Sequence, residues 1–225
     1  MIDRWAERYL FFPLVALFFQ PEGLAAFAKA APPGAMDALL KDRMEMFAKG
    51  GNLTRPDVAV AKTELPGILE SLDAQLAAQP YLSGDRPTLI DYTVYHPIWF
   101  LRKNPYNAPL IEAHPNVVRW FDSIAAFGHG RVIESDGEAA LAEARLSEPR
   151  KVEPVVIGVD AKQGDSVSVT PTDYGQVPVE GELVRADPYE FAVRRTTYET
   201  GTIVTHFPRT GFELKRVDPS NQESV

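Results

Sequence analysis

The stretch that decides the fold is residues 80–91, Pro-Tyr-Leu-Ser-Gly-Asp-Arg-Pro-Thr-Leu-Ile-Asp. Gly84 marks a turn, and Thr88 is followed three residues later by Asp91, which is the spacing of a capping box. In such a box each of the two side chains accepts a hydrogen bond from the backbone N–H of the other residue. The spacing therefore predicts a helix that begins at Thr88 and extends to about Lys103.

Apolar side chains recur at helical spacing on both sides of this turn. A helix that stops at Gly50-Gly51 and another that begins at a second box, Thr54 to Asp57, precede it. Proline is expected to bend two of the helices, at Pro13 and Pro66. Together with the helix after Thr88, the short connections indicate a helical bundle whose further members are predicted over residues 2–19, 36–47, 58–76 and 115–128.

The pattern changes after residue 131. Ser135 to Glu138 is a cap signal before an alanine-rich segment, which predicts a surface linker helix. Beyond Pro149 the apolar period becomes two, as in strands with one buried face. Strands are predicted over residues 155–159, 167–169, 179–184, 189–194, 202–206 and 212–214.

These patterns predict an α+β protein. Its parts are an all-α bundle over residues 1–130, a linker helix over 131–152, a small antiparallel β barrel or sandwich over 153–217, and a polar tail over 218–225.

Composition excludes several classes of function. The net charge is −8 and Lys and Arg form no cluster, so a nucleic-acid partner is not expected. The absence of cysteine excludes a thiolate zinc site and a cysteine nucleophile, and no two of the four histidines have the spacing of a helix-borne metal pair. No metal site is therefore predicted.

The apolar run from Tyr9 to Phe19 is shorter than the span of about 20 residues that crosses a bilayer. No membrane partner is therefore expected. A secretory signal remains an alternative, because small residues, Ala28-Lys29-Ala30, follow the run; the chain would then be a secreted binding protein.

Three features occur in a recognisable order: the helix that ends in Leu72–Leu76, the turn and box of residues 80–91, and the segment His114–Phe121. This arrangement resembles the C-terminal helical domain of the cytosolic glutathione transferases. The sequence departs from that family at Ile90, where alanine is usual, and at His96-Pro97 inside the helix.

The resemblance implies a cytoplasmic protein with glutathione as co-substrate of its complete form. In that family a thioredoxin-like domain before the helical one binds glutathione and carries the catalytic Tyr, Ser or Cys. Because residue 1 falls in the first helix, we expect that domain to be lacking, so no catalytic residue is assigned and the chain alone is expected to be inactive, with no cofactor of its own. The complete protein would be a transferase of class EC 2.5.1.18 that conjugates or reduces hydrophobic electrophiles.

The family places one wall of its hydrophobic-substrate pocket on the first helix. Trp5, Tyr9 and Phe12 are the candidates for this wall, and a hydrophobic small molecule is the expected ligand. The competing interpretation is that they are core or dimer-interface residues. Apolar residues on all faces of this helix also predict a homodimer through the first two helices.

The run His206–Phe212 resembles a segment of extended bacterial glutathione-transferase-like proteins. Four cations near it, Arg194, Arg195, His206 and Arg209, are a candidate anion site, since arginine binds carboxylates and phosphates. A structural hairpin explains the run more simply. The alternative function for the whole chain is a non-catalytic module for protein interaction or ligand binding.

Overall fold

A computed structural model describes residues 5–51 and 57–217, without the side chains of residues 7 and 8. The chain divides into two compact units. The first comprises Met1–Leu39 with Thr54–Val132, and the second comprises Leu40–Leu53 with Ile133–Val225. The grouping of Leu40–Leu53 with the C-terminal part was not foreseen from the sequence. The architecture is α+β, with helices first and an antiparallel sheet after them.

The first unit is a bundle around a leucine-rich core in which Leu10, Leu65 and Ile98 are almost inaccessible to solvent. Two helices, α3 and α7, were not predicted, because each is short and begins with a proline near its first position. The helices are α1 (Ala6–Phe11), α2 (Phe12–Phe18), α3 (Pro21–Ala30), α4 (Ala35–Ala48, whose second part belongs to the second unit), α5 (Val58–Ala78), α6 (Leu89–Arg102), α7 (Ala108–Glu112) and α8 (Pro115–Ala125).

The first helix changes its winding where a bend was predicted. Helix α1 is a π-helix, and α-helical winding starts at Phe12, one residue before Pro13. Phe11 packs on α6, with its ring 5.2 Å from that of His96. Leu14 and Leu17 are buried in the bundle, so much of the apolar surface that suggested a dimer is covered within the unit.

A sharp corner joins α2 to α3. A Cβ on Gly23 would lie 2.4 Å from the carbonyl oxygen of Phe18, so only glycine fits there. The Asn104 amide donates to the carbonyl oxygen of Gly23 at 2.9 Å. Among the described residues no single helix is long and apolar enough to cross a bilayer; Tyr9–Phe18 and Pro21–Ala30 meet the criteria only together, and they are bent by 77°.

The start of α6 is organised by Asp91, which is fully buried. Its Oδ2 accepts from the N–H of Thr88 at 2.8 Å, the contact that a capping box requires. Its Oδ1 accepts from the N–H of Leu82 at 2.8 Å and from the indole Nε1 of Trp120 at 2.9 Å. One carboxylate therefore joins the turn, α6 and α8. Thr54, the start of the other predicted box, lies outside the described residues. Asp57 caps α5 by accepting from the N–H of Ala59.

The second unit contains a five-stranded antiparallel sheet in the order β4-β3-β2-β1-β5. A flat sheet of this width would separate its edges by about 19 Å, but only residues 209–211 join β4 to β5, a step of at most about 14 Å. The sheet must therefore curl into an incomplete barrel, and the rings of Phe207 and Phe212 lie 5.4 Å apart. The strands are β1 (Ser166–Pro171), β2 (Val179–Ala186), β3 (Glu190–Thr197), β4 (Gly201–Pro208) and β5 (Phe212–Arg216).

Two predicted features of this unit have different outcomes in the structure. The strand predicted over residues 155–159 is wrong: it forms only an isolated parallel bridge between Val156 and Ala186, because Pro154 and the left-handed Gly158 interrupt pairing on either side. The predicted linker helix exists as α9 (Gly137–Leu146), capped by Asp136. It packs on β4, where Gly201 leaves room for the backbone of Arg145.

Candidate functional site

Helices α1 and α5 enclose an open groove of about 540 Å³ within the first unit. Trp5 and Tyr9 contribute aromatic rings from the N-terminal side, and Ile68 and Leu72 contribute aliphatic side chains from α5. We call this the aromatic groove; its remaining lining residues are Glu64, Gly67, Ser71 and Gln75.

The two aromatic side chains of the groove are not core residues. Trp5 is 38% exposed and Tyr9 is 58% exposed, whereas Leu72, beneath them on α5, is 8% exposed. Among the described residues no neighbouring atom lies within 4 Å of the position that a Cβ on Gly67 would occupy, so the backbone of α5 is open there. The surface is therefore concave, apolar at its base and aromatic at its side, as small-molecule sites are.

The polar groups of the groove are largely engaged with the chain itself. The Ser71 hydroxyl donates to the carbonyl oxygen of Gly67 at 2.8 Å, and the Gln75 amide donates to that of Leu82 at 2.7 Å. Glu64 is the charged residue of the lining, and it has no hydrogen-bond or ion-pair partner in the part of the chain that the structure describes. The groove can thus bind an apolar molecule, and among its described lining residues no nucleophile is paired with a base.

The third residue proposed for the pocket wall, Phe12, is not among those lining the groove. It is partly buried and its ring packs edge-to-face on Phe11, 5.7 Å between centroids. The spacing of Trp5, Tyr9 and Phe12 would place all three on one face of an α-helix. Because α1 is a π-helix with i to i+5 hydrogen bonds, Phe12 does not lie on the same face as Trp5 and Tyr9.

Residues of α5 form the other wall, which the sequence analysis did not predict. Ile68 and Leu72 lie at helical spacing, which by itself indicates packing within the bundle. A signal was present: residues 64, 67, 68, 71, 72 and 75 follow the i, i+3, i+4 repeat of one helix face.

The four side chains of the candidate anion site make different contacts in the structure. Arg194 and Arg195 are consecutive on β3, so their side chains leave opposite faces of the sheet. Arg194 pairs with Glu182 at 3.1 Å, and His206 Nδ1 lies 3.0 Å from Glu190. The anion site stays a prediction, and Arg194 and His206 each already lie beside a carboxylate.

Arg209, the fourth candidate, acts within the fold. Its guanidinium donates to the carbonyl oxygens of Ile157, Gly158 and Asp187 at 3.1, 2.6 and 2.9 Å. It also lies 5.0 Å from the centroid of the Phe191 ring. These contacts anchor the residues before β1 to the turn before β3, which favours a structural role.

Two aspartates with lowered pKa values cap local structure. Burial raises the pKa of Asp73, but hydrogen bonds from the Asn116 side chain and from the N–H groups of Val117 and Asn116 outweigh it and lower the pKa. The pKa of Asp187 is lowered first by the N–H of Tyr189, opposed by burial and reinforced by further donors. Neither residue lines the aromatic groove, and among the described residues no cluster of His, Asp and Glu is suited to a metal ion.

Comparison with known proteins agrees with this architecture. Residues 22–123 match the family model of the glutathione S-transferase C-terminal domain. Over 61 residues the chain is 41% identical to elongation factor 1-gamma of Homo sapiens and of Bos taurus; this segment is 27% of the chain and 14% of each relative. The chain thus matches only about one seventh of the length of these curated relatives.

A solved structure extends the likeness to both units. A GST-like protein from Pseudomonas syringae is 29% identical, with a TM-score of 0.75 that covers 96% of this chain and 67% of that chain. The fold and the family match define the first unit as a glutathione S-transferase C-terminal domain. The chain therefore carries a helical domain that matches the C-terminal domain of the glutathione S-transferase family, as its capping box and neighbouring helices indicated.

Proposed function

We propose that this chain is the hydrophobic-substrate-binding part of a protein that conjugates or reduces apolar electrophiles with glutathione. The observation that supports the proposal is the aromatic groove, in which Trp5 and Tyr9 are exposed beside the apolar face of α5. Exposed aromatic side chains in a concave site bind apolar rings by stacking and by removing them from water.

The groove supplies binding and orientation rather than activation. Trp5 and Tyr9 hold the substrate ring, and Ile68 and Leu72 form the apolar base. Activation of the glutathione thiol is assigned to groups outside this lining, in the thioredoxin-like domain of the family. The chain alone is then expected to bind the electrophile but not glutathione.

The experiment measures binding of 1,3-dinitrobenzene, an unreactive analogue of an aromatic electrophile, by quenching of tryptophan fluorescence. A Trp99→Phe background removes the signal of the other exposed tryptophan. Saturable quenching is expected, together with the absence of saturable heat when millimolar glutathione is titrated into the chain by calorimetry.

Gly67→Leu fills the groove with a side chain that meets no protein atom at its Cβ, so affinity is expected to fall about tenfold, the loss of one well-packed apolar contact. The matched control is Ala77→Leu, an exposed position elsewhere on α5. Equal affinity of the two variants, or no saturable quenching in either background, would overturn the proposal.

A second candidate is a non-catalytic interaction module. It is favoured by the 41% identity to proteins named elongation factor 1-gamma rather than transferase. The same exposed Trp5 and Tyr9 would then contact a protein, including a second copy of the chain in the homodimer that the sequence predicts. Self-association in sedimentation experiments that is lost in Tyr9→Glu, without binding of 1,3-dinitrobenzene, would favour this candidate.

A further inference from the structure

A second cavity lies in the first unit, at the corner between α2 and α3 and beside α7. Its volume is about 510 Å³, within the range of small-molecule sites. Its walls are mainly apolar and include Leu65 and Leu69 of α5 and Leu110 of α7. Gln20 and Asn107 also line it, and we call it the amide cavity after them.

The two amide side chains are buried and point to the same backbone atom. Gln20 is 7% exposed and Asn107 is 1% exposed. Each is the N-cap residue of a helix, α3 and α7 respectively, yet neither side chain bonds to the N–H groups of its helix. Both amide nitrogens instead donate to the carbonyl oxygen of Leu17, at 3.0 and 3.4 Å.

This arrangement fixes the orientation of both amide groups. A carbonyl oxygen can only accept hydrogen bonds, so each amide must direct its nitrogen to Leu17 and its oxygen away from it. In the part of the chain that the structure describes, neither oxygen of Gln20 or Asn107 accepts a hydrogen bond, and no solvent-inaccessible side-chain N or O atom lacks a partner. The two free oxygens are therefore accessible to solvent, and both residues line the cavity.

Helix α5 contributes Lys62 and Pro66 to the lining, and Pro66 has no N–H to donate to the carbonyl oxygen four residues earlier. An amide oxygen that accepts nothing from the protein is satisfied by solvent or by the donor group of a bound molecule. The cavity thus offers apolar walls and two acceptors, while none of its described lining residues is Asp or Glu.

We propose that the amide cavity is a binding site for apolar phenols. The aromatic body would occupy the space between the leucines of α5 and α7, and the hydroxyl would donate to the amide oxygen of Gln20 or Asn107. A phenolic hydroxyl, with a pKa of about 10, is a stronger donor than an aliphatic one. This site is distinct from the aromatic groove, which shares no lining residue with it.

The probe is 2-naphthol, compared with 2-methoxynaphthalene, which retains the ring system but cannot donate. Calorimetry on the full chain is expected to show saturable binding of the phenol and about tenfold weaker binding of the ether, the cost of leaving one buried acceptor unpaired. In NMR spectra the side-chain amide signals of Gln20 and Asn107 are expected to shift with the phenol. Equal affinity for the two compounds, or unshifted amide signals, would overturn the proposal.

Two matched variants locate the site. Ala113 lines the cavity and Ala126 does not; each is an exposed C-cap residue with helical backbone angles. Ala113→Phe is expected to weaken binding of 2-naphthol at least tenfold, and Ala126→Phe is expected to leave it unchanged. Equal binding by both variants would overturn the proposal, as would binding that Gly67→Leu abolishes and Ala113→Phe does not, since that result assigns the phenol to the aromatic groove.

Discussion

The two units use polar side chains in different ways. In the helical unit one buried carboxylate, Asp91, joins a turn, the start of α6 and the indole of Trp120. In the β unit the strands pair through their backbones, and Arg209 adds hydrogen bonds to carbonyl oxygens. In the helical unit one carboxylate thus connects three segments, whereas in the β unit the buried carboxylate of Asp187 serves a single turn and the strands are joined by their ladders.

A second difference concerns space. The helices meet at corners, between α2 and α3 and around α7, and the aromatic groove and the amide cavity lie between the helices of this unit. Helices that cross at an angle leave gaps where they diverge. Neighbouring strands of a sheet lie about 4.8 Å apart and leave no such gaps between them. We therefore expect ligands to bind to the helical unit, and we expect the β unit to have a structural role.

The largest expected effect comes from Asp91→Ala. It leaves three donors without an acceptor at a fully buried position, so the free energy of unfolding of the helical unit should fall by about 3 kcal/mol or more. Urea denaturation followed by circular dichroism measures this, with Thr88→Ala as a cap control that costs about 1 kcal/mol. A loss for Asp91→Ala no larger than that of the control would contradict this connecting role of Asp91.

A pair of glycine substitutions tests the two units separately. A Cβ would lie 2.4 Å from the oxygen of Phe18 at Gly23, and 2.4 Å from the oxygen of Arg194 at Gly181. Either alanine substitution should lower the free energy of unfolding of its own unit by about 1–3 kcal/mol. Hydrogen exchange of helical and sheet amides separates the two effects.

Gly67 provides the control for this pair, because a Cβ there meets nothing within 4 Å. Gly67→Ala in the middle of α5 should instead stabilise the helical unit by about 0.5–1 kcal/mol. If Gly23→Ala, Gly181→Ala and Gly67→Ala changed the free energy of unfolding equally, backbone entropy rather than steric contact would explain the change.

The smallest expected effect is the dependence on pH. Because the folded pKa of Asp73 is lowered, its contribution is present above the unfolded value of about 3.9 and is lost as the pH falls through the folded value. The helical unit of the parent should lose free energy of unfolding as the pH falls from about 5 to about 3. In Asp73→Asn this loss should be smaller, by at most about 1 kcal/mol. Identical pH profiles of the variant and the parent would mean that the caps on Asn116 and Val117 do not depend on the charge.

Several elements were predictable because their signals are local. Thr88 and Asp91 lie three residues apart, and the alternation of Phe191 and Val193 indicates the strand β3, although Ala192 between them is buried as well. The helices that were missed, α3 and α7, are short, and their N-cap residues, Gln20 and Asn107, make no local cap contact. Their positions depend on residues about 90 apart in sequence, as in the bond from Asn107 to Leu17.

The candidate site was predictable only in part. Trp5 and Tyr9 line the aromatic groove, whereas Phe12 does not, because no pattern in residues 6–11 announces a π-helix. The bridge between Gly51 and Tyr174, which places the end of α4 in the second unit, was equally invisible.

The sequence by itself determined the class of the chain: periodicity and capping spacing specify helices followed by strands, because hydrogen bonds of caps and the burial of one face act over a few residues. Only the tertiary structure decided where the cavities lie and which polar atoms remain free. The orientation of Asn107 depends on the carbonyl oxygen of Leu17, which lies 90 residues earlier and is brought to it by the packing of α2; such long-range contacts leave no mark at any fixed spacing in the sequence.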